Sequence, residues 1–291
     1  MVAETIEKNP LQAYLRVPKL YVILPSRGNW GNPATASKIS GEIPIYPLTS
    51  MDELLLRNPD ALLNGESLIR VIQSCTGMET RNEIYGLTIN DVNLILVAIR
   101  FATYGKAMEI EGSCPKCNED VDVIVNLETV LESAEELDAE YVLNLDNGLS
   151  IYLKPHSYEV TQQVALAAFR EASAMNVLTD TTIDESERLN QFNKSFIVLA
   201  DLTLTTLCDS VDRVVVPATE KSESTVVKER EHILEWVKSL NKEVADQMMD
   251  KVAMINQIGI SNTWPAECSA CNHTWEQSLE FNAANFFGAG S

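Results

Sequence analysis

Two cysteine pairs, far apart in the chain, limit what it can fold into more than any other feature. The first lies in Glu109-Ile-Glu-Gly-Ser-Cys114-Pro-Lys-Cys117-Asn-Glu-Asp-Val-Asp-Val-Ile-Val125, the second in Ser261-Asn-Thr-Trp-Pro-Ala-Glu-Cys268-Ser-Ala-Cys271-Asn-His-Thr-Trp-Glu-Gln-Ser-Leu-Glu-Phe281. Both read as strand, knuckle, strand. Two thiolates three positions apart in a tight turn grip one side of a tetrahedral metal and leave the other open, so a closed structural site needs a second pair. Each knuckle is the natural partner of the other. The expected product is a zinc ribbon in which Cys114, Cys117, Cys268 and Cys271 hold one structural zinc per chain and tie distant segments together. A redox dithiol is the weaker reading, because neither pair ends a buried strand that opens a helix, where lowered thiol pKa values arise. An iron–sulfur centre can use the same ligands. His273, two residues beyond Cys271, is an alternative ligand, set against the simpler reading of a half-exposed side chain on the outgoing strand.

Charge narrows the partners. The 291 residues carry 22 Lys and Arg against 42 Asp and Glu, a net charge of −20, and the resulting field repels phosphate backbones and anionic membrane surfaces. Neither nucleic acid nor a membrane is an expected partner. The longest apolar run, Leu94–Ile99, falls far short of the roughly 20 residues a membrane helix requires. The opening Met1-Val-Ala-Glu-Thr-Ile-Glu-Lys-Asn-Pro10 lacks the basic and apolar blocks of a secretion signal, so no export is implied. Cys75 and Cys208 stand singly in apolar or helical contexts and read as buried small hydrophobes in a reducing compartment.

Local patterns suggest an α+β chain. Lys19-Leu-Tyr-Val-Ile-Leu-Pro25 reads as a strand entering a long turn, and Gly41-Glu-Ile-Pro-Ile-Tyr-Pro47 as a returning edge strand, since its prolines each remove a ladder donor. Ser50-Met-Asp-Glu53 has the form of a capping box opening a helix that Asn58-Pro59 ends. Residues 61–76 are helical by period, and Asn90-Asp91 is the expected cap of a third helix that Gly105 ends, with Arg100 on its surface or in an ion pair. Residues 128–140 read as a solvated acidic helix or linker. Asp146-Asn-Gly148, between alternating apolar residues, is a strong hairpin signal. Helices follow over Glu159–Ala174, Asp184–Asp209 and Val226–Ile258, with an apolar strand-like piece at Val214-Val-Val216; His156 and His232 read as surface residues.

The order hairpin, helices, knuckle thus occurs twice, which suggests an internal duplication with extra helices in the second copy. The expected organisation is an N-terminal half over 1–127, an acidic linker over 128–140 and a C-terminal half over 141–291, joined by the ribbon. The chain shows no phosphate-binding, dinucleotide-binding, serine-hydrolase or zinc-protease motif, and its three histidines are scattered. A four-thiolate zinc offers no open coordination position. The expectation is a non-enzyme without a small-molecule substrate. The aromatic Phe286-Phe287 near the chain end is read as a partner-binding anchor, packing beside the ribbon being the plainer alternative.

Several stretches together resemble the baseplate hub and hub-assembly proteins of T-even-like contractile-tailed bacteriophages: Glu42-Ile-Pro-Ile-Tyr-Pro-Leu-Thr-Ser-Met-Asp-Glu-Leu-Leu-Leu-Arg-Asn-Pro-Asp-Ala61, Val71-Ile-Gln-Ser-Cys75, Ile99-Arg-Phe-Ala-Thr-Tyr-Gly105 running into Cys114-Pro-Lys-Cys117, and the second knuckle with its Phe-Phe ending. The resemblance implies a virion or assembly protein that acts by contact with other baseplate and tail proteins, in the host cytoplasm during assembly and in the tail thereafter. It supplies no catalytic residues, and the middle, roughly 128–260, does not match the pattern. The alternative from residues alone is a zinc-stabilised acidic adaptor that binds a basic cellular protein.

Overall fold

A computed structural model describes residues 15–30, 41–57, 65–179, 184–218 and 223–278; Phe286 and Phe287 lie outside them. Strands β1 (Leu20–Ile23) and β2 (Glu42–Ile45) form an antiparallel pair with Leu20 opposite Ile45 and Ile23 opposite Glu42. Helices α1 (Ser50–Leu56), α2 (Glu66–Thr76) and α3 (Arg81–Tyr85) lead into α4 (Ile89–Tyr104). Helix α4 is apolar on every side: its Val92, Leu94, Ile95, Leu96, Val97, Ala98, Ile99 and Ala102 are all buried, as in a helix through the middle of a core. The first core gathers around it, from Ile43 and Ile45 of β2, Ile69, Val71 and Ile72 of α2, and Ile84 and Leu87.

Gly105, at φ 94°, ends α4 in backbone space that side-chain-bearing residues avoid. The chain then enters hairpin β3 (Ala107–Ser113) and β4 (Asp120–Asn126), followed by α5 (Leu127–Glu132). The 128–140 stretch, expected as a solvated acidic helix or linker, begins in α5 and is not wholly solvated, because Val130 enters the first core and Leu137 the second while Glu132, Glu135 and Glu136 stay outside.

The second core is built on a four-stranded antiparallel sheet, β5 (Tyr141–Asn144), β6 (Ser150–Leu153), β7 (Val211–Val216) and β8 (Thr225–Val227), paired in that order. Two long helices, α6 (Tyr158–Thr179) and α7 (Glu185–Asp209), intervene between β6 and β7. Ile151, Leu153, Val211 and Val214 pack against Ile233 and Val237 of α8 (Arg230–Lys238) and Met248, Val252 and Ile255 of α9 (Lys242–Asn256). The expected single helix over Val226–Ile258 is therefore corrected to a strand and two helices. Val226 and Val227 pair with Val215 and Val214, a use that suits their β-branched side chains, and Asn241 starts α9 afresh by accepting from the Val244 amide at 3.0 Å.

Other local expectations shift by a residue or two. The cap of α1 is Thr49, not Ser50: its side chain accepts from the Asp52 amide while the Asp52 carboxylate accepts from the Thr49 amide. Likewise α4 is capped by Thr88 with Asp91 completing the box, not by Asn90-Asp91. Arg100 is 2% exposed, with its guanidinium 5.4 Å from the centre of the Tyr104 ring; it lies on the inner side of α4, not its surface. His156 is also corrected, its Nε2 lying 2.9 Å from Ser210 Oγ in a part-buried site, whereas His232 is exposed as expected. Cys75 and Cys208 are both buried, in the first and second core respectively, Cys75 Sγ lying 4.0 Å from Arg16 Nη1.

Asn90 joins the two cores. Its Nδ2 donates to the carbonyls of Ile255 at 2.9 Å and Ile258 at 2.7 Å, and the Leu137 amide donates to Pro25 O nearby. The end of α9 is thereby fixed beside α4, and the chain leaves it into the last hairpin among the described residues, β9 (Thr263–Glu267) and β10 (Thr274–Ser278).

Candidate metal centre

The two knuckles repeat one backbone pattern. In the first, the Cys114 amide donates to Glu119 O and the Asn118 amide to Cys114 O; in the second, the Cys268 amide donates to His273 O and the Asn272 amide to Cys268 O, all at 2.9 Å. Asn118 at φ 57° and Asn272 at φ 54° occupy the left-handed region, which asparagine tolerates better than most side chains. Each asparagine follows the second cysteine of its pair, and it is this residue that turns the chain back into its strand. The shared Cys-x-x-Cys-Asn was visible in the sequence and is a sharper signature than the cysteines alone.

Strand contacts set the hairpins against each other. Gly112 of β3 leaves room for Gln277 of β10, whose Oε1 is 2.8 Å from where a Cβ would stand, and Trp275 Nε1 donates to that oxygen at 3.1 Å. Beneath the knuckles, Val123 and Ala266 are buried.

This arrangement brings together all four sulfur atoms that the spacing paired. Cys114 Sγ is 3.7 Å from Cys271 Sγ, and Cys117 Sγ is 3.6 Å from Cys268 Sγ; all four lie within 4.8 Å of one another. A disulfide requires about 2.0 Å. A tetrahedral centre with zinc–sulfur bonds of about 2.3 Å spaces its sulfurs by about 3.8 Å, so the donor set fits one ion. Cys114 and Cys268 are buried, Cys271 is half-buried and Cys117 exposed. His273 stands outside the cluster, stacked on Trp275 with ring centres 6.3 Å apart.

The thiols are also electrostatically unequal. Burial pushes Cys114 up, but the amides of Cys117 and Lys116, with hydrogen bonds from the Cys117 and Cys271 thiols, bring it down to about 7. For Cys117 the Glu119 amide favours the thiolate, and the thiols of Cys271, Cys268 and Cys114 outweigh it, pushing the group up to about 12. Crowding that resists accumulation of thiolates is what a bound cation relieves.

The model of the T4 bacteriophage base plate protein family matches residues 35–288, a span that includes both knuckles. The chain belongs to that family. No curated protein and no solved structure matches it. As a T4-type baseplate protein it has a structural family role in the phage tail, reached through contacts with other phage structural proteins. The match also spans the helical middle that the quoted stretches left out, so α6 to α9 belong to the family's common length.

Proposed function

We propose that this baseplate protein is a structural or assembly component of the hub region, acting by docking and not by turnover, with one zinc ion held by Cys114, Cys117, Cys268 and Cys271. The observation that carries the metal reading is the crossed pairing of sulfurs, in which each knuckle supplies two ligands to one tetrahedron. Bound there, zinc supplies no chemistry beyond cross-linking, since four thiolates close its shell. The halves over 1–127 and 141–291, joined by residues 128–140, are read as descendants of one duplicated unit; the matched knuckles and the repeated order of hairpin, helices and knuckle support this.

Clamping both hairpins orders surface that would otherwise lose entropy on binding. The aromatic Phe286-Phe287 follows the second knuckle closely in sequence and is proposed as an anchor for another tail protein, in keeping with the weight aromatics carry at interfaces. Mass spectrometry of purified virions, set against assembly intermediates and lysate, tests the reading. The protein should be enriched with hub components in at least one tail fraction; its confinement to free cytoplasmic protein would overturn it. Deleting residues 284–291 should abolish incorporation while metal content and folding persist, and normal incorporation would move the docking surface elsewhere.

A further inference from the structure

Among the described residues strand β1 has an open edge, since it pairs only with β2. Pro44, opposite Tyr21, has no N–H to give. The ladder bonds therefore fall on the flanking pairs, and the N–H and C=O groups of Tyr21 and Ile23 point away from β2. Such an edge is a template for another strand.

A groove of about 390 Å³ runs beside it, lined on the apolar side by Val22, Leu94, Leu131 and Ala134 and walled by Glu132, Glu135 and Glu136. Arg27 engages Glu136 at 2.8 Å, while Glu132 and Glu135 make no ion pair among the described residues. Tyr21 and Ile23 are 59% and 43% exposed. A strand edge, an apolar channel and two carboxylates without an ion pair among the described residues thus lie side by side.

We propose that this groove receives an extended segment of another tail protein, which adds to β1 as a third strand and sets basic side chains over Glu132 and Glu135. The inference rests on the docking role above and names a surface for it. Charge selects the occupant. A second copy carries the same net charge of −20, and the chain's own segments outside the described residues supply little base: residues 1–14 hold Glu4, Glu7 and Lys8, residues 31–40 only Lys38, residues 219–222 Glu220 and Lys221, and residues 58–64, 180–183 and 279–291 no Lys or Arg. Strand addition takes affinity from the backbone and selectivity from alternate side chains, so a segment alternating apolar and basic residues fits both halves of the site.

The test uses the full chain with zinc present and a fluorescent peptide of alternating valine and lysine, followed by anisotropy. The peptide should bind, and replacing its lysines by glutamates should weaken binding by at least about tenfold. Tyr21→Pro, which removes an N–H outside the existing ladder, should cause a similar loss with the melting curve unchanged. The surface variant Glu132→Gln with Glu135→Gln should remove the charge preference without touching the backbone edge. No binding, equal binding of both peptides, or indifference to all these changes overturns the proposal, as does self-association abolished by Tyr21→Pro, which would assign the edge to a second copy. Incorporation into tails separates the two readings. A Tyr21→Pro chain that loses the peptide but assembles normally refutes the groove as a docking surface, whereas absence of the wild-type chain from every tail fraction refutes the baseplate role itself.

Discussion

Cys117 Sγ and Cys268 Sγ face each other at 3.6 Å although they stand 151 positions apart in the sequence. Since Cys114 and Cys271 make the second crossed contact at 3.7 Å, neither knuckle can complete a site alone. The four sulfurs set the tip of hairpin β3–β4 against the tip of β9–β10, so that segments on either side of the second core meet at one point.

The metal content should therefore be one zinc per chain in protein purified without chelator, measured by elemental analysis. Cys117→Ser and Cys268→Ser should lose metal together and lose stability to a similar degree. Structural zinc contributes about 10–16 kcal/mol in small peptides, comparable to the whole stability of a domain. A ratio near two, or a variant pair in which only one knuckle matters, would refute the shared site.

At the start of α1, Thr49→Ala should destabilise by about 0.5–2 kcal/mol and Ser50→Ala by much less. Thr49 Oγ1 accepts from the Asp52 amide at 3.2 Å and donates to Asp52 Oδ2 at 2.7 Å, while Ser50 is exposed in the first turn. Denaturant midpoints decide the matter, and a larger effect at Ser50 would place the cap one residue later.

The contrast between Thr49 and Ser50 shows what the sequence could yield. The segment Leu48-Thr-Ser-Met-Asp-Glu53 offers two overlapping capping boxes, Thr49 with Asp52 and Ser50 with Glu53. Local pattern cannot choose between them, whereas tertiary structure can. Asp52 is buried and also accepts from Ser74 Oγ at 3.0 Å, and Arg16 Nη1 approaches it at 3.5 Å; Glu53 instead meets the Tyr104 hydroxyl at 3.2 Å. The four cysteines were legible because metal chemistry imposes a count and a spacing. The break between α8 and α9 was hidden because Val226 and Val227 suit a helix face or a strand, and only pairing with β7 selects the strand. Arg100 and His156 lie deeper than a surface reading places them, for a related reason: a polar side chain announces its type in the sequence but not its depth.

Asn90→Ala is expected to weaken coupling between the two cores more than it weakens α4 itself. Its amide serves two carbonyls, those of Ile255 and Ile258, and Asn90 is 1% exposed. Leaving buried acceptors without donors costs about 1–3 kcal/mol each. Hydrogen exchange should then show protection falling first at the end of α9 and in the 134–137 segment, with the centre of α4 least affected. Uniform loss across the chain would mean that the cores unfold as one unit without regard to this contact.

Acid should weaken the second core through His156. Burial holds its imidazole below the ordinary value of 6.5, with Asp209 opposing the shift, and Nε2 lies 2.9 Å from Ser210 Oγ. A base whose folded pKa is depressed binds fewer protons when folded than when unfolded. Its neutral form therefore gives stability that is complete above about 6.5 and is lost as pH falls from there through the lowered folded pKa. Melting temperatures of zinc-saturated protein between neutral and mildly acidic pH should fall more steeply for the wild type than for His156→Gln, which keeps a hydrogen-bonding side chain but does not titrate. Both chains share any acid-induced loss of metal, so the difference between the two curves isolates the histidine. Parallel curves would show that His156 takes up its proton as readily in the folded chain as in the unfolded one.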